Sequence, residues 1–178
     1  PKIMDQYCLS GVDMASNKKE YTNESIKSLK GADRVRKRPA VIFGSDGLDG
    51  CQQSIFEIIS NSIDEAREGH GDRIIVTRYN DCSVEVEDFG RGIPVDYNEN
   101  EKEFNWKLLF CELYAGGKYD NEAGSNYEFS LGLNGLGLCA TQYASEYMDV
   151  EVYRDGFRYE LHFKHGNPVG KMKKEDSV

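Results

Sequence analysis

The sequence predicts an α+β domain: a two-layer sandwich in which helices cover one face of a mixed, mainly antiparallel sheet. Three observations predict it. Apolar residues recur at helical spacing as far as Glu68, the period changes to two from Arg73 onward, and no regular β-α-β alternation links the strands. At 178 residues, 39% hydrophobic and 30% charged, the chain has the length and composition of one soluble domain with a sizeable core.

The elements follow in order. Pro1 to Glu20 is mixed and polar, without the apolar stretch of a secretory signal, so residues 1–20 are expected to be a flexible N-terminal arm or a cloning remnant. Residues 21–178 then form the domain. Ser25 to Arg36 reads as a helix, with Ile26, Leu29, Ala32 and Val35 at three-residue spacing and Pro39 ending it. A loop over Gly44 to Gly50 leads into a second helix, about Cys51 to Glu68, stopped by Gly69 and Gly71. Arg73 to Tyr79 and Ser83 to Glu87 alternate about an Asn80-Asp81 turn, as a β-hairpin does.

Phe104 to Tyr114 is a further helix. Ala115 to Leu138 is a long stretch rich in Gly, Asn and Ser, of a length that is usually functional when it is a loop. A helix is expected from Leu138 to Ala144. Asp149 to Arg154 and Phe157 to Lys164 flank Asp155-Gly156, a strong hairpin signal. Gly170 to Val178 is polar and reads as ending without a finished element, as though the chain were cut.

Bulk properties exclude several classes. No apolar run approaches the ~20 residues of a membrane helix. Cys8, Cys51, Cys82, Cys111 and Cys139 are odd in number and widely spaced, which argues against a disulfide framework or zinc site and for free, mostly buried thiols in a reducing cytoplasm. A net charge of −9 argues against this domain itself wrapping nucleic acid. The run Arg34-Val-Arg36-Lys37-Arg38-Pro39 is a local exception that reads equally as a phosphate contact or as a solvated, locally paired run.

Three segments carry chemistry. In Glu57-Ile-Ile-Ser-Asn61-Ser-Ile-Asp64-Glu65, at about 100° per residue, Ile55, Ile58, Ile59, Ile63 and Ala66 share one helix side while Glu57, Asn61 and Asp64 form a stripe on the other. That stripe is either a solvated face or a catalytic one. A glutamate can deprotonate a water as general base, an asparagine can give its carbonyl oxygen to Mg²⁺, and Asp64 suits a carboxylate that orients the Asn61 amide or the bound waters.

In Asp88-Phe-Gly90-Arg91-Gly92-Ile93-Pro94, a buried carboxylate after a strand could accept the exocyclic amine of adenine beside a backbone that a flat ring can approach. A plain turn is the competing reading. In Gly132-Leu133-Asn134-Gly135-Leu136-Gly137, followed by Leu138, glycines before a helix expose N–H groups to phosphate. No Walker motif is present, and the spacing is the reverse of the dinucleotide fingerprint. Ala115-Gly-Gly-Lys118 adds a hinge and a cation, suggesting a lid from about Ala115 to Asn134. In this order the three describe an ATP site.

The trio resembles the GHKL ATPase superfamily. Leu29-Lys-Gly31-Ala-Asp-Arg-Val-Arg-Lys-Arg-Pro39, Ser62-Ile-Asp-Glu-Ala66, Gly90-Arg-Gly-Ile-Pro94 and Ala115-Gly-Gly-Lys-Tyr119 look like the ATPase domain of bacterial type IIA topoisomerase B subunits, gyrase or topoisomerase IV, across about Tyr21 to Pro168. The resemblance implies ATP and Mg²⁺ as cofactors, Glu57 as general base, Asn61 as magnesium ligand and Asp88 as adenine anchor. It also implies Lys118, Tyr127 and the Gly132 to Leu138 loop around ribose and phosphates.

By the same likeness, Tyr21 and Ile26 belong to an arm that reaches a second protomer in the full-length homodimer. Arg91, Pro94 and Arg154 match the pocket edge where ATP-competitive gyrase inhibitors bind. The topoisomerase A subunit and DNA would be met through regions absent here, as is the transducer domain, so the domain is expected to bind ATP yet turn it over poorly. Asn134 stands where the family usually has histidine. A chaperone or MutL-type repair clamp with the same pocket is the alternative.

Overall fold

The computed structural model describes residues 22–115 and 136–177. The expected first helix is largely absent. A 3₁₀ turn at Asn23–Ser25 gives way to extended chain, and α1 is only Asp33–Arg36. Gly31 at φ +49° breaks any continuous helix, and Ile26, 69% exposed, belongs to no apolar stripe; only Val35 of the four spaced residues is buried. Pro39 does not end a helix but begins one. It is the first residue of α2 (Pro39–Phe43), where its missing N–H costs nothing. Gly44, left-handed at φ +75°, closes that helix with its N–H on the Ala40 carbonyl.

The second expected helix is α3 (Leu48–Arg67), longer at its start than the sequence suggests. Its isoleucines at 55, 58, 59 and 63 are half-buried, whereas Ser62 and Asp64 are buried. The stripe of Glu57, Asn61 and Asp64 is thus no more exposed than the apolar side. α3 packs against α5 (Gly137–Ala144), and the Thr141 hydroxyl donates to the Ser54 carbonyl across the two helices at 3.0 Å.

β1 (Ile74–Arg78) and β2 (Val84–Asp88) form the expected antiparallel hairpin, with Ile74 opposite Asp88. β3 (Tyr97–Asn98) and β4 (Glu103–Phe104) make a short unexpected pair, locked by edge-on Tyr97 and Phe104 rings 5.4 Å apart. α4 is shorter than expected, Asn105–Cys111. β5 (Tyr147–Arg154) and β6 (Phe157–Lys164) are joined at Asp155 and Gly156, whose φ values of +52° and +80° match the twist of a two-residue hairpin. β7 (Asn167–Pro168) and β8 (Lys173–Asp176) both pair with β6, so the polar tail does finish an element. All pairings among the described residues are antiparallel and fall into three sheets.

Two cores result. Val95, Trp106, Phe110, Val152, Tyr159, Leu161 and Phe163 pack α4 on the β5–β8 sheet, while Val35, Phe43, Cys139, Ala140 and Tyr143 pack α1 and α2 on α5. Leu138 reaches the first core and Cys139 the second, so α5 is clamped between them. The expectation of mostly buried thiols fails at the described positions: Cys139 is buried, Cys111 partly so, and Cys51 and Cys82 are exposed.

Candidate functional site

One helix, α3, reaches both ends of the candidate site. Towards its C-terminal half, the Ser62 hydroxyl donates to Asp88 Oδ2 at 2.9 Å, and the Gly90 N–H donates to Asp88 Oδ1 at 3.0 Å. Both oxygens are thereby oriented and keep lone pairs for a ligand donor. The expectation of a buried acceptor is corrected: Asp88 is exposed, at the end of a two-stranded hairpin to which no third strand pairs among the described residues, whereas its partner Ser62 is buried.

The Gly90 to Pro94 segment is held by close approach. A Cβ at Gly90 would lie 2.4 Å from Glu65 Cγ, and one at Gly92, whose φ is +73°, would lie 2.4 Å from the Tyr153 carbonyl oxygen. Arg154 Nη1 donates to the Gly92 carbonyl at 2.6 Å. Arg91 lies back over α3, its Nε and Nη2 on Glu65 at 2.7 and 2.8 Å, its Nη2 also on Glu68 at 2.6 Å, and its N–H on Glu65 at 2.9 Å. The Arg91 hydrogen bonds hold the Glu65 carboxyl down at about 2, well below the usual carboxylate range. Ile93 is half-buried against the first core, and Pro94 and Arg154 line one groove with Asp96, Tyr97 and Lys174.

At the other end, half-buried Glu57 accepts from Gln53 Nε2 at 3.0 Å and lies against Gly137, where a Cβ would stand 2.4 Å from Glu57 Oε2. Glycine is required there for the carboxylate to meet the start of α5. Leu136, Gly137, Glu57, Ile42 and Phe43 surround a small cavity of about 40 Å³. Leu136, just before α5, makes no side-chain cap, and first-turn N–H groups of a helix are what an anionic ligand can take. Asn61 is half-buried one turn beyond Glu57, and Asp64 is buried.

Thus Glu57, Asn61, Asp64, Asp88, Arg91, Gly92, Ile93, Pro94, Leu136, Gly137, Leu138 and Arg154 lie on α3, at and just after the end of β2, at the start of α5 and at the end of β5. Tyr21, Lys118, Tyr127, Gly132, Leu133, Asn134 and Gly135 lie outside the described residues, as does most of the expected lid. Sequence reasoning missed Ser62, Gln53 and the role of Glu65. Glu65 carried a signal, since its charge repeats three residues before Glu68 on the face that meets Arg91. No group of three or more metal-ligating side chains occurs among the described residues. The donor set nonetheless fits Mg²⁺, which needs few protein oxygens: the Asn61 amide lies on the Glu57 stripe with buried Asp64 a turn further on.

Comparison with known proteins points the same way. Residues 47–167 match the family described as histidine kinase-, DNA gyrase B-, and HSP90-like ATPase. The B subunit of DNA gyrase from Thermotoga maritima is 43% identical over 150 residues, covering 84% of this chain and 23% of that protein. The B subunit of the type 2 topoisomerase of Aquifex aeolicus is also 43% identical over 150 residues, covering 84% of this chain and 19% of that protein. The crystal structure of the 43K ATPase domain of Thermus thermophilus gyrase B in complex with an aminocoumarin matches with a TM-score of 0.66 at 29% identity, over 84% of this chain and 36% of that one. The chain spans about a quarter or less of the curated relatives it matches.

Proposed function

Because the chain belongs to the histidine kinase-, DNA gyrase B-, and HSP90-like ATPases, we propose that it is the ATP-binding and ATP-hydrolysing domain of a type IIA DNA topoisomerase B subunit. The observation that carries this reading is that Glu57 and Ser62 stand five positions apart on α3, the first carboxylate against the start of α5 and the second hydroxyl on Asp88. One rigid element thus sets the separation between a base and a purine anchor.

Asp88 accepts the exocyclic amine of adenine, and the glycine backbone at Gly90 and Gly92 lets the ring lie close. The first-turn N–H groups of α5, with the positive end of its dipole, take the phosphates. Glu57 orients a water and removes its proton as the water attacks the terminal phosphorus. The bond from that phosphorus to the bridging oxygen breaks, so that ADP leaves with the bond's electron pair and inorganic phosphate remains. Asn61 would hold Mg²⁺ through its amide oxygen, with Asp64 orienting that amide, and the ion would supply neutralisation of phosphate charge. Lys118, Tyr127 and Gly132 to Gly135 complete the ribose and phosphate contacts.

In the whole protein, ATP binding closes a dimer through the arm carrying Tyr21 and Ile26, and hydrolysis reopens it during DNA strand passage with the A subunit. We place this in the cytoplasm; among the described residues no helix is long and apolar enough to cross a membrane. The Thermus relative is a complex with an aminocoumarin, and the Arg91, Pro94 and Arg154 edge is proposed to receive the same class here. The test is calorimetric titration of a non-hydrolysable ATP analogue with Mg²⁺, repeated in the presence of an aminocoumarin. Mutually exclusive binding is expected. Nucleotide binding untouched by the inhibitor would shift the reading towards a chaperone or repair clamp, and binding of neither would end it.

A further inference from the structure

The basic run before Pro39 divides in the structure. Arg34 Nε donates to the Leu29 carbonyl at 3.1 Å, and Lys37 pairs with Asp33 at 2.7 Å, both at the surface. Arg36 instead turns inward. Its Nη1 donates to the carbonyls of Tyr143, Ala144 and Ser145 at 3.0, 3.3 and 2.8 Å, and its Nη2 meets His165 Nδ1 at 3.3 Å. Those carbonyls close α5, the helix whose other end is Gly137 beside Glu57. The last carbonyls of a helix have no partner of their own, and a cation there opposes the negative end of the dipole.

Arg36 is therefore eight helical residues from Gly137, about 12 Å along the axis at about 1.5 Å per residue, and cannot touch the phosphates itself. Its neighbour Val35 is fully buried in the core that α5 shares with α1 and α2. The turn behind it is equally tight: a Cβ at Gly166 would stand 2.2 Å from Ala32 Cβ. The guanidinium is thus fixed on one side by the packed α1 and on the other by three carbonyls of α5. We infer that Arg36 is a positioning residue for the triphosphate: it pins the C-terminal end of α5 so that the N–H groups at its start stay aimed at the phosphates beside Glu57.

The inference rests on the ATP reading above and deepens it. It distinguishes Arg36 from a residue that merely stabilises the fold, because α5 serves the phosphates while adenine is held by Asp88, Ser62 and Gly90 on other elements. The experiment is calorimetry on the full chain with two ligands, a non-hydrolysable ATP analogue with Mg²⁺ and adenosine. Arg36→Ala should weaken the analogue about tenfold, equivalent to roughly 1.4 kcal/mol, and leave adenosine within about twofold, below what that constant resolves as a lost contact.

Arg36→Lys keeps the charge but has one nitrogen where the guanidinium uses two, Nη1 on the α5 carbonyls and Nη2 on His165, and should fall between wild type and alanine. It also serves if the alanine variant does not fold. Equal weakening of both ligands, or of neither, overturns the inference. A lysine variant equal to wild type would show that charge alone matters and also overturns it. A wild-type chain that binds neither ligand ends the nucleotide reading, and this inference with it.

Discussion

The two ends of the proposed ATP site are held by different kinds of contact. At the adenine end every functional group is tethered: Asp88 by Ser62 and Gly90, Arg91 by Glu65 and Glu68, and the Gly92 carbonyl by Arg154. At the phosphate end the decisive contact is an absence of side chain. Glu57 reaches the start of α5 because Gly137 carries no Cβ, and its carboxylate has a single described hydrogen bond, from Gln53. Tethered groups suit recognition, since their geometry is set before the ligand arrives. A lightly held carboxylate suits proton transfer, since it must accept and release a proton from a moving water. The adenine end should therefore govern affinity, together with the N–H groups of α5, whereas Glu57 should govern turnover.

The largest expected effect tests the second half of that division. Glu57→Ala should lower ATP turnover by about 10²- to 10⁴-fold, the usual worth of a general base, while affinity for a non-hydrolysable analogue changes little. Steady-state hydrolysis in the full-length protein, run beside calorimetry, decides it; normal turnover would remove Glu57 from the chemistry. Asp88→Asn tests the first half. An amide turns one acceptor into a donor, which must then face either the Ser62 hydroxyl or the Gly90 N–H. Nucleotide affinity should drop by roughly 10- to 100-fold: the Ser62 hydroxyl can turn to accept from the amide while the Gly90 N–H cannot, but in either orientation the adenine amine loses its charged acceptor. Unchanged affinity would refute the purine assignment.

The features legible in the sequence were the ones whose physics is local. Periodicity placed α3, and turn chemistry placed both hairpins, most plainly where Asp155 and Gly156 adopt the positive φ values that a two-residue turn needs. The Glu57, Asn61 and Asp64 stripe was readable from helix geometry. Illegible features needed the tertiary structure. Pro39 suits a helix start as well as a stop, and nothing nearby says which. β8 is Lys-Lys-Glu-Asp, without an apolar residue, and exists because it completes the edge of β6 rather than through any apolar pattern. Ser62 acquires a role only because the end of β2 crosses α3, and Arg36 in a basic run looks solvated until α5 ends beside it.

A smaller effect is expected at Ser62. Its hydroxyl is one of the two groups fixing Asp88, and Ser62→Ala leaves a cavity of a single oxygen in a buried position. Losing one hydrogen bond to a charged acceptor while the Gly90 N–H remains should weaken nucleotide about fivefold. If affinity instead fell as far as in Asp88→Asn, Ser62 itself would be contacting the ligand, and the notion of a tether separate from the anchor would fail.

The smallest effect concerns the pocket edge and asks whether charge or geometry holds it. Hydrogen bonds from Arg91 keep the folded Glu65 carboxyl at about 2, against 4.5 for the free group. A folded value below the unfolded one means that the contribution is fully present above pH 4.5, declines as the pH falls below it, and is gone once the pH passes about 2. The Arg91 side chain is half-exposed, so solvent screening reduces the contribution to the order of 1 kcal/mol. Glu65→Gln removes the titration yet keeps an oxygen to accept the Arg91 N–H, and Glu68 still pairs the guanidinium. Across thermal melts from pH 5 to pH 2, wild type should therefore lose slightly more stability than the variant, with the gap narrowing in high salt. Parallel profiles would mean that the close approach of Gly90 to Glu65 Cγ, and not the ion pair, sets the edge.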